Sequence, residues 1–143
     1  MRFQQFGDRY IVRLESGERL TETLIGFLAS EEIEFASLTG CGAIRAATLG
    51  YWNADTRAYE FRDFEEQLEV VSFEGNSALK DDEPFLHIHG VFSRRDFSTL
   101  GGHIKDLVVH PTLEVSLRTE GVEIRRARDE ASGLDLLDLP ERT

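Results

Sequence analysis

Hydrophobic and polar positions near the start of the chain change from a strand pattern to a helix pattern. Residues 10–14 are rich in branched and aromatic side chains and predict a first strand. Residues 16–18 (Ser-Gly-Glu) form a helix-start signal. Apolar residues then recur at helical spacing, at Leu20, Leu24, Phe27 and Leu28. This pattern predicts one strong helix from about residue 19 to residue 30.

After the helix, the chain changes to short β-type segments. Residues 53–57 form a hairpin turn signal, and residues 68–73 alternate poorly, as expected for a strand buried on both faces. The other predicted segments are 35–38, 46–52, 59–63, 104–109, 113–117 and 122–126, with breaks expected at Pro111 and Gly121. The pattern predicts a single α+β domain over residues 1–128. Residues 129–143 are acidic and irregular, and we expect a loose tail.

Residues 85–92 form a further predicted strand that contains a His-x-His pair. Leu86 and Ile88 belong to its apolar face, and His87 and His89 belong to the opposite face. Residues two apart on a strand share a face, with Cα atoms roughly 6.5–7 Å apart, so both imidazoles can reach one metal ion. His103 follows the flexible pair Gly101-Gly102 and could supply a third nitrogen. Three neutral imidazoles with an open fourth position suit zinc, or a similar divalent transition metal, better than magnesium or calcium.

Spacing alone leaves a second interpretation of these histidines equally open. Histidines are common on half-exposed strands, where water solvates them or carboxylates pair with them across a subunit contact. The sequence therefore predicts a metal site and a solvated histidine pair equally well.

Charge limits the partners of the chain. Its 143 residues include 16 Lys and Arg against 27 Asp and Glu, a formal net charge of −11. This balance opposes binding to DNA or to anionic membranes.

No segment approaches the roughly 20 apolar residues of a membrane span, and the N-terminus lacks the apolar core of a signal peptide. We therefore expect a cytoplasmic protein without membrane partners.

Other candidate chemical groups are weaker than the histidines. Cys41 lies between two glycines, but the glycine pattern of a dinucleotide loop fails at Arg45. A lone cysteine is more often a small packed residue than a nucleophile. Glu114 could act as a general base or a further ligand, although surface carboxylates are the norm. No complete catalytic constellation is visible, so the sequence leaves open whether the protein is an enzyme.

Basic residues cluster at two places only. These are residues 94–95 and residues 125–128, and they could contact phosphates. Asp96, Asp129 and Glu130 lie beside them in sequence, so local salt bridges are the more economical expectation.

Several separate motifs resemble the PPC domain, the plant and prokaryote conserved domain, in family order over roughly residues 8–135. The matching stretches are GE at 17–18, TGCGA at 39–43, ATLGY at 47–51, LEVVS at 68–72, GN at 75–76, PFLHIH at 84–89, GGH at 101–103 and PTLEV at 111–115. His110 stands before the last motif, where the family pattern favours a small residue.

The resemblance implies a mostly antiparallel sheet packed with one main helix, and assembly into a homotrimer. It also implies a metal site in prokaryotic members, built by histidines that match His87, His89 and His103. Plant members generally lack these histidines and carry a basic AT-hook, which this sequence lacks. Much of the family's DNA-binding label comes from that AT-hook.

Three functions follow as hypotheses. The first is a trimeric metal-binding module that holds a small anionic ligand at the open coordination position. The second is a DNA-associated transcriptional regulator, as the family label implies. The third is a zinc-dependent enzyme in which metal-bound water attacks a small substrate.

Overall fold

A long antiparallel sheet dominates the computed structural model, which describes residues 1–140. Its strand order is β1-β2-β7-β6-β5-β3-β4, and β7 also pairs with β3. In chain order the elements are β1 (Arg2–Phe6), β2 (Arg9–Glu15), α1 (Leu20–Ser30), β3 (Ala36–Asn53), β4 (Ala58–Phe64), β5 (Leu68–Lys80), β6 (Glu83–Ser93), β7 (Thr99–Thr119), β8 (Arg126–Arg128) and β9 (Asp135–Leu137). Strands β3, β5, β6 and β7 therefore form a closed ring of pairings. The predicted α+β class, mostly antiparallel with one main helix, is confirmed.

Helix α1 forms where its apolar spacing predicts. Leu20, Leu24, Phe27 and Leu28 are its buried residues, and the helix packs against β6 and β7. Its buried face joins one continuous core with the inner faces of the strands. Within residues 1–140, no helix is both long and apolar enough to span a membrane.

Two strands are longer than the sequence pattern predicts. Strand β3 joins the segments expected at 35–38 and 46–52, and β7 joins those expected at 104–109 and 113–117. Pro111 does not end β7, because it falls at a register shift between the pairs Gly42–Leu113 and Ile44–Val109. At such an irregularity the missing N–H of proline removes no ladder hydrogen bond.

Strand β5 corrects the expectation that residues 68–73 are buried on both faces. Leu68, Val70 and Phe73 are buried, whereas Val71 is 56% exposed. The register against β6 shifts between Val70 and Ser72, so two consecutive residues, Val71 and Ser72, are exposed. This bulge hides the alternation that would otherwise mark a half-exposed strand.

Residues beyond 128, expected to be a loose tail, contain a strand. Strand β9 pairs with β8 in a separate two-stranded sheet. The loop between them is closed by backbone hydrogen bonds from Asp129 N–H to the Leu134 carbonyl and from Gly133 N–H to the Asp129 carbonyl. The Lys80 ammonium lies 2.7 Å from the Asp135 carboxylate and ties β9 to β5. Residues 141–143 of the expected tail lie outside the described part, and a domain boundary at residue 128 stays a prediction.

Candidate metal centre

Strands β6 and β7 bring the three histidines together. Leu86, Ile88 and Phe92 of β6 are buried, which confirms the predicted apolar face and leaves His87 and His89 on the other face. His103 of β7 is the direct cross-strand partner of His89. Side chains of directly opposed residues start about 4.5–5.5 Å apart at Cβ, so the β6–β7 pairing itself places the third imidazole.

The glycines before His103 act differently from the sequence expectation. Gly101 and Gly102 lie inside β7 and do not form a flexible loop. A Cβ atom on Gly101 would lie 2.6 Å from the Gly90 carbonyl oxygen, so the absence of a side chain allows β7 to approach β6 at this point. Close strand approach, and not flexibility, positions His103.

One nitrogen from each of His87, His89 and His103 lies within 4.8 Å of the other two. The Nε2 atoms of His87 and His89 are 3.1 Å apart. Two nitrogens bound to one tetrahedral zinc ion at 2.0–2.1 Å lie roughly 3.3 Å apart. The His87–His89 pair is near this separation, and the widest separation in the group exceeds it by at most about 1.5 Å. The donor set therefore fits a first-row transition metal with an open position.

Burial keeps two of these imidazoles neutral. Burial, together with the positive charges of His87, His89 and Arg126, lowers the pKa of His103 to about 4. Burial likewise lowers the pKa of His87, with smaller contributions from Arg126 and His89. A metal ion binds the deprotonated form of histidine, so the site is prepared for a metal at neutral pH.

His103 also has a buried nitrogen to which no residue in the described part of the chain hydrogen-bonds. Its Nδ1 atom finds no hydrogen-bond partner among residues 1–140. The Tyr59 ring of β4 lies against its imidazole, with ring centroids 4.6 Å apart. A buried polar atom without a partner costs free energy, which makes this nitrogen a suitable atom for an external ligand.

A cavity of about 600 Å³ adjoins His87 and His103. This volume lies in the range of small-molecule sites. Its walls come from α1, from five strands of the large sheet and from the β8–β9 sheet. They are lined by Thr21, Ile25, Trp52, Tyr59, Phe61, Asn76, Phe85, Leu86, His87, His103, Ile104, Lys105, Arg126, Arg128 and residues 133–137. The site thus combines three histidines that can bind a metal ion with an adjoining, mostly apolar pocket.

The family model of the Plants and Prokaryotes Conserved (PCC) domain matches residues 1–120. The chain belongs to the PCC domain family. This agrees with the resemblance of its sequence motifs. A comparison with curated proteins gave no match.

Solved structures share the whole PCC fold. A metal-containing protein from Archaeoglobus fulgidus is 32% identical, with a TM-score of 0.85 over 95% of this chain and 97% of that one. A plant- and prokaryote-conserved protein from Pyrococcus horikoshii is 28% identical, with a TM-score of 0.87 over 99% and 97%. A protein from Bacteroides thetaiotaomicron, described as a candidate DNA-binding protein, is 28% identical, with a TM-score of 0.92 over 96% of each chain.

Other residues singled out in the sequence lie outside the histidine cluster of the PCC domain. Cys41 is exposed in β3, where it faces Glu114 of β7 across the ladder. The Ser16 hydroxyl lies 2.9 Å from His110 Nδ1. The cavity beside the histidines is not lined by Cys41, Glu114, Ser16 or His110.

Arg94 and Arg125 of the basic clusters are paired with carboxylates, but not with the acidic neighbours expected from the sequence. Arg94 donates to Glu66, and Arg125 donates to Asp82 and Glu123. The expected partner Asp96 instead accepts hydrogen bonds from Ser98. Glu66 and Asp82 are distant in sequence from the arginines that they pair with, so tertiary contacts supply these two partners, whereas Glu123 is a local partner of Arg125.

Part of the cavity wall consists of residues that no sequence pattern indicated. Tyr59 and Trp52 come from β4 and β3, and Asn76 comes from β5 directly opposite His87. Arg126 was seen only as a member of a basic cluster. No spacing signal connects these residues, because strands far apart in sequence bring them together.

Proposed function

We propose that this PCC domain binds one zinc ion, or a similar divalent transition-metal ion, through His87, His89 and His103. The convergence of one nitrogen from each residue within 4.8 Å carries the proposal. The lowered pKa values of His87 and His103 and the unpartnered Nδ1 of His103 support it. The description of the Archaeoglobus fulgidus relative as metal-containing also supports it.

The same proposal includes a small anionic ligand at the open coordination position. A bound divalent ion would offer this position as a Lewis acid. The cavity beside His87 and His103 supplies the space, and the guanidinium of Arg126 supplies positive charge at its wall. An anion there would meet two cationic groups in partly dehydrated surroundings, where attraction is stronger than in water.

We further propose that the domain works as a homotrimer. The family resemblance implies this assembly. Apolar side chains remain exposed on the outer faces of the strands, including Ile11, Val71 and Val91. One helix covers only one side of this sheet, so association between subunits would bury part of the remaining apolar surface.

A role in DNA association is the second candidate, supported by the description of the Bacteroides thetaiotaomicron relative. Its support within this chain is weaker. Arg94 and Arg125 are already paired with carboxylates, and the chain carries a net charge of −11. Phosphate contacts supply a large share of the affinity of DNA-binding proteins, and arginines that are already paired on an acidic protein are poorly suited to make them. The metal-binding and ligand-binding function is therefore the better supported of the two proposals.

Metal content of purified protein tests the metal proposal. After dialysis against zinc and removal of free metal, elemental analysis should give about one zinc ion per wild-type chain. His87→Ala and His89→Ala should lose most of it, because each removes one of three imidazole ligands. His110→Ala is the matched control, since His110 lies outside the cluster, and it should keep wild-type zinc. Equal zinc in all four proteins would contradict the site.

A further inference from the structure

Arg126 carries a hydrogen-bond donor that has no acceptor among residues 1–140. Its Nη1 donates to the Asp135 carbonyl at 3.0 Å, and its Nη2 donates to Asn76 Oδ1 at 2.5 Å. Its Nε is buried and has no acceptor in the part of the chain that the structure describes. The guanidinium is therefore held from two sides, while its Nε–H has no acceptor among residues 1–140, and the side chain lines the cavity.

This guanidinium lies next to the histidine cluster. Asn76, which accepts its hydrogen bond, is the direct cross-strand partner of His87. The positive charge of Arg126 contributes to the lowered pKa of both His87 and His103. Arg126, His87 and His103 line the same cavity, so an anion bound there would lie near both the guanidinium and these two imidazoles.

The surroundings of Arg126 raise the free-energy cost of leaving its Nε–H without an acceptor. The Phe85 ring lies 5.4 Å from the guanidinium carbon, and burial lowers the pKa of Arg126. A partly dehydrated guanidinium without a full set of acceptors favours an anion that restores them. A carboxylate fits this need, because its oxygens accept strong charge-assisted hydrogen bonds from a guanidinium.

The remainder of the wall is suited to an apolar body. Aromatic and aliphatic side chains line most of it, namely Ile25, Trp52, Phe61, Phe85, Leu86 and Leu134. Lys105 and Arg128 add positive charge, and the acidic Asp135 is engaged by Lys80. The local charge of the cavity is therefore opposite to the net charge of the whole chain.

We propose that the cavity takes a monocarboxylate with an aromatic or branched apolar body, anchored by Arg126. The carboxylate accepts a hydrogen bond from Arg126 Nε–H near His87 and His103, and the apolar body lies along the hydrophobic wall. This proposal rests on the proposed function for its anionic ligand, and it adds the class of that ligand and the residue that selects it. Arg126 contributes to binding with or without metal, and bound zinc strengthens it.

The test uses 3-phenylpropanoate as the probe, with 3-phenylpropan-1-ol as a neutral analogue of the same body and acetate as a head group without a body. Trp52, the only tryptophan, lines the cavity and reports binding by fluorescence. Wild-type protein should bind 3-phenylpropanoate roughly tenfold or more tightly than either the alcohol or acetate, since a charge-assisted hydrogen bond and the apolar contacts both contribute.

Variants test whether Arg126 is responsible for the preference for the acid. Arg126→Gln should lose about tenfold in affinity for 3-phenylpropanoate and little for the alcohol. Arg95→Gln, which changes an exposed arginine elsewhere, should bind like wild type. Equal affinity of wild type for the acid and the alcohol would overturn the proposal, and this comparison needs no variant to fold. Unchanged acid binding by a folded Arg126→Gln protein would also overturn it.

Zinc content of the same samples separates the two proposals. Protein that holds zinc but does not distinguish acid from alcohol contradicts the ligand class and leaves the metal site supported. Protein that holds no zinc but still shows Arg126-dependent preference for the acid supports the ligand class and contradicts the metal site.

Discussion

His89 lies directly opposite His103 in the antiparallel pairing of β6 with β7. The position of the third imidazole is therefore set by strand register and not by a loop. A shift of one residue in that register would send one of the two side chains to the core face. The cluster is thus as rigid as the sheet that carries it.

Stability of the metal-free protein should fall as the pH falls from about 6.5 to about 4. The pKa of His103 is lowered to about 4 in the folded chain, from 6.5 when unperturbed, and that of His87 is also lowered. The unfolded chain therefore takes up protons first, so the contribution is fully present above pH 6.5 and is lost towards pH 4. Allowing for solvent screening, we expect about 1–2 kcal/mol.

Urea unfolding of chelator-treated protein at pH 7 and at pH 4.5 measures this loss. Comparison with His103→Asn removes the contribution of titrating carboxylates that both proteins share. The wild type should lose more free energy of unfolding than His103→Asn, and His110→Asn should behave like wild type. Identical losses in wild type and His103→Asn would contradict the assignment of a lowered pKa to His103.

The C-terminal segment should be ordered in solution. Backbone N–H groups of Asp129, Gly133 and Asp138 donate to carbonyl groups, and Lys80 pairs with Asp135. Hydrogen exchange at these three amides should be slower than in an unstructured peptide by a factor of ten or more. Exchange at the rate of a random coil would restore the expectation of a loose tail.

Sequence patterns predicted those parts of the fold that depend on local order. The spacing of Leu20, Leu24 and Phe27 predicted α1, and alternation over residues 85–92 placed His87 and His89 on the face away from the core. Regular period and one-sided burial make such elements visible in a single sequence.

Features that depend on tertiary contacts were not predictable in the same way. The register shift near Pro111 allows β7 to continue past the proline. The local sequence around Pro111 does not distinguish such a register shift from the end of a strand. Arg126 reaches Asn76 only because β8 packs beside β5. Residues of the cavity wall therefore remain hidden until strands distant in sequence are paired.

Association should give a trimer at micromolar concentration. Exposed apolar residues such as Val71 and Val91 would then be partly buried between subunits. Sedimentation velocity and light scattering of purified protein measure the assembly. A monomer at this concentration would contradict the prediction. Substituting Val91→Glu should shift the population towards smaller species if this face is the contact.

Binding to duplex DNA should be weak or undetectable at about 150 mM salt. A trimer would triple the net charge of −11, and Arg94 and Arg125 are engaged by carboxylates. Fluorescence anisotropy with labelled duplex DNA over a range of salt concentrations measures it. A submicromolar dissociation constant that rises steeply with salt would restore a DNA-binding role.

X-ray absorption at the zinc edge tests the central claim most directly, because it counts the ligands of the bound ion. Zinc-loaded wild type should show three imidazole nitrogens at about 2.0–2.1 Å and one further light atom. His103→Ala should show one imidazole fewer or bind no zinc, and His110→Ala should match wild type. Ligation by sulfur or by carboxylates alone, or an unchanged imidazole count in His103→Ala, would contradict a metal centre built by His87, His89 and His103.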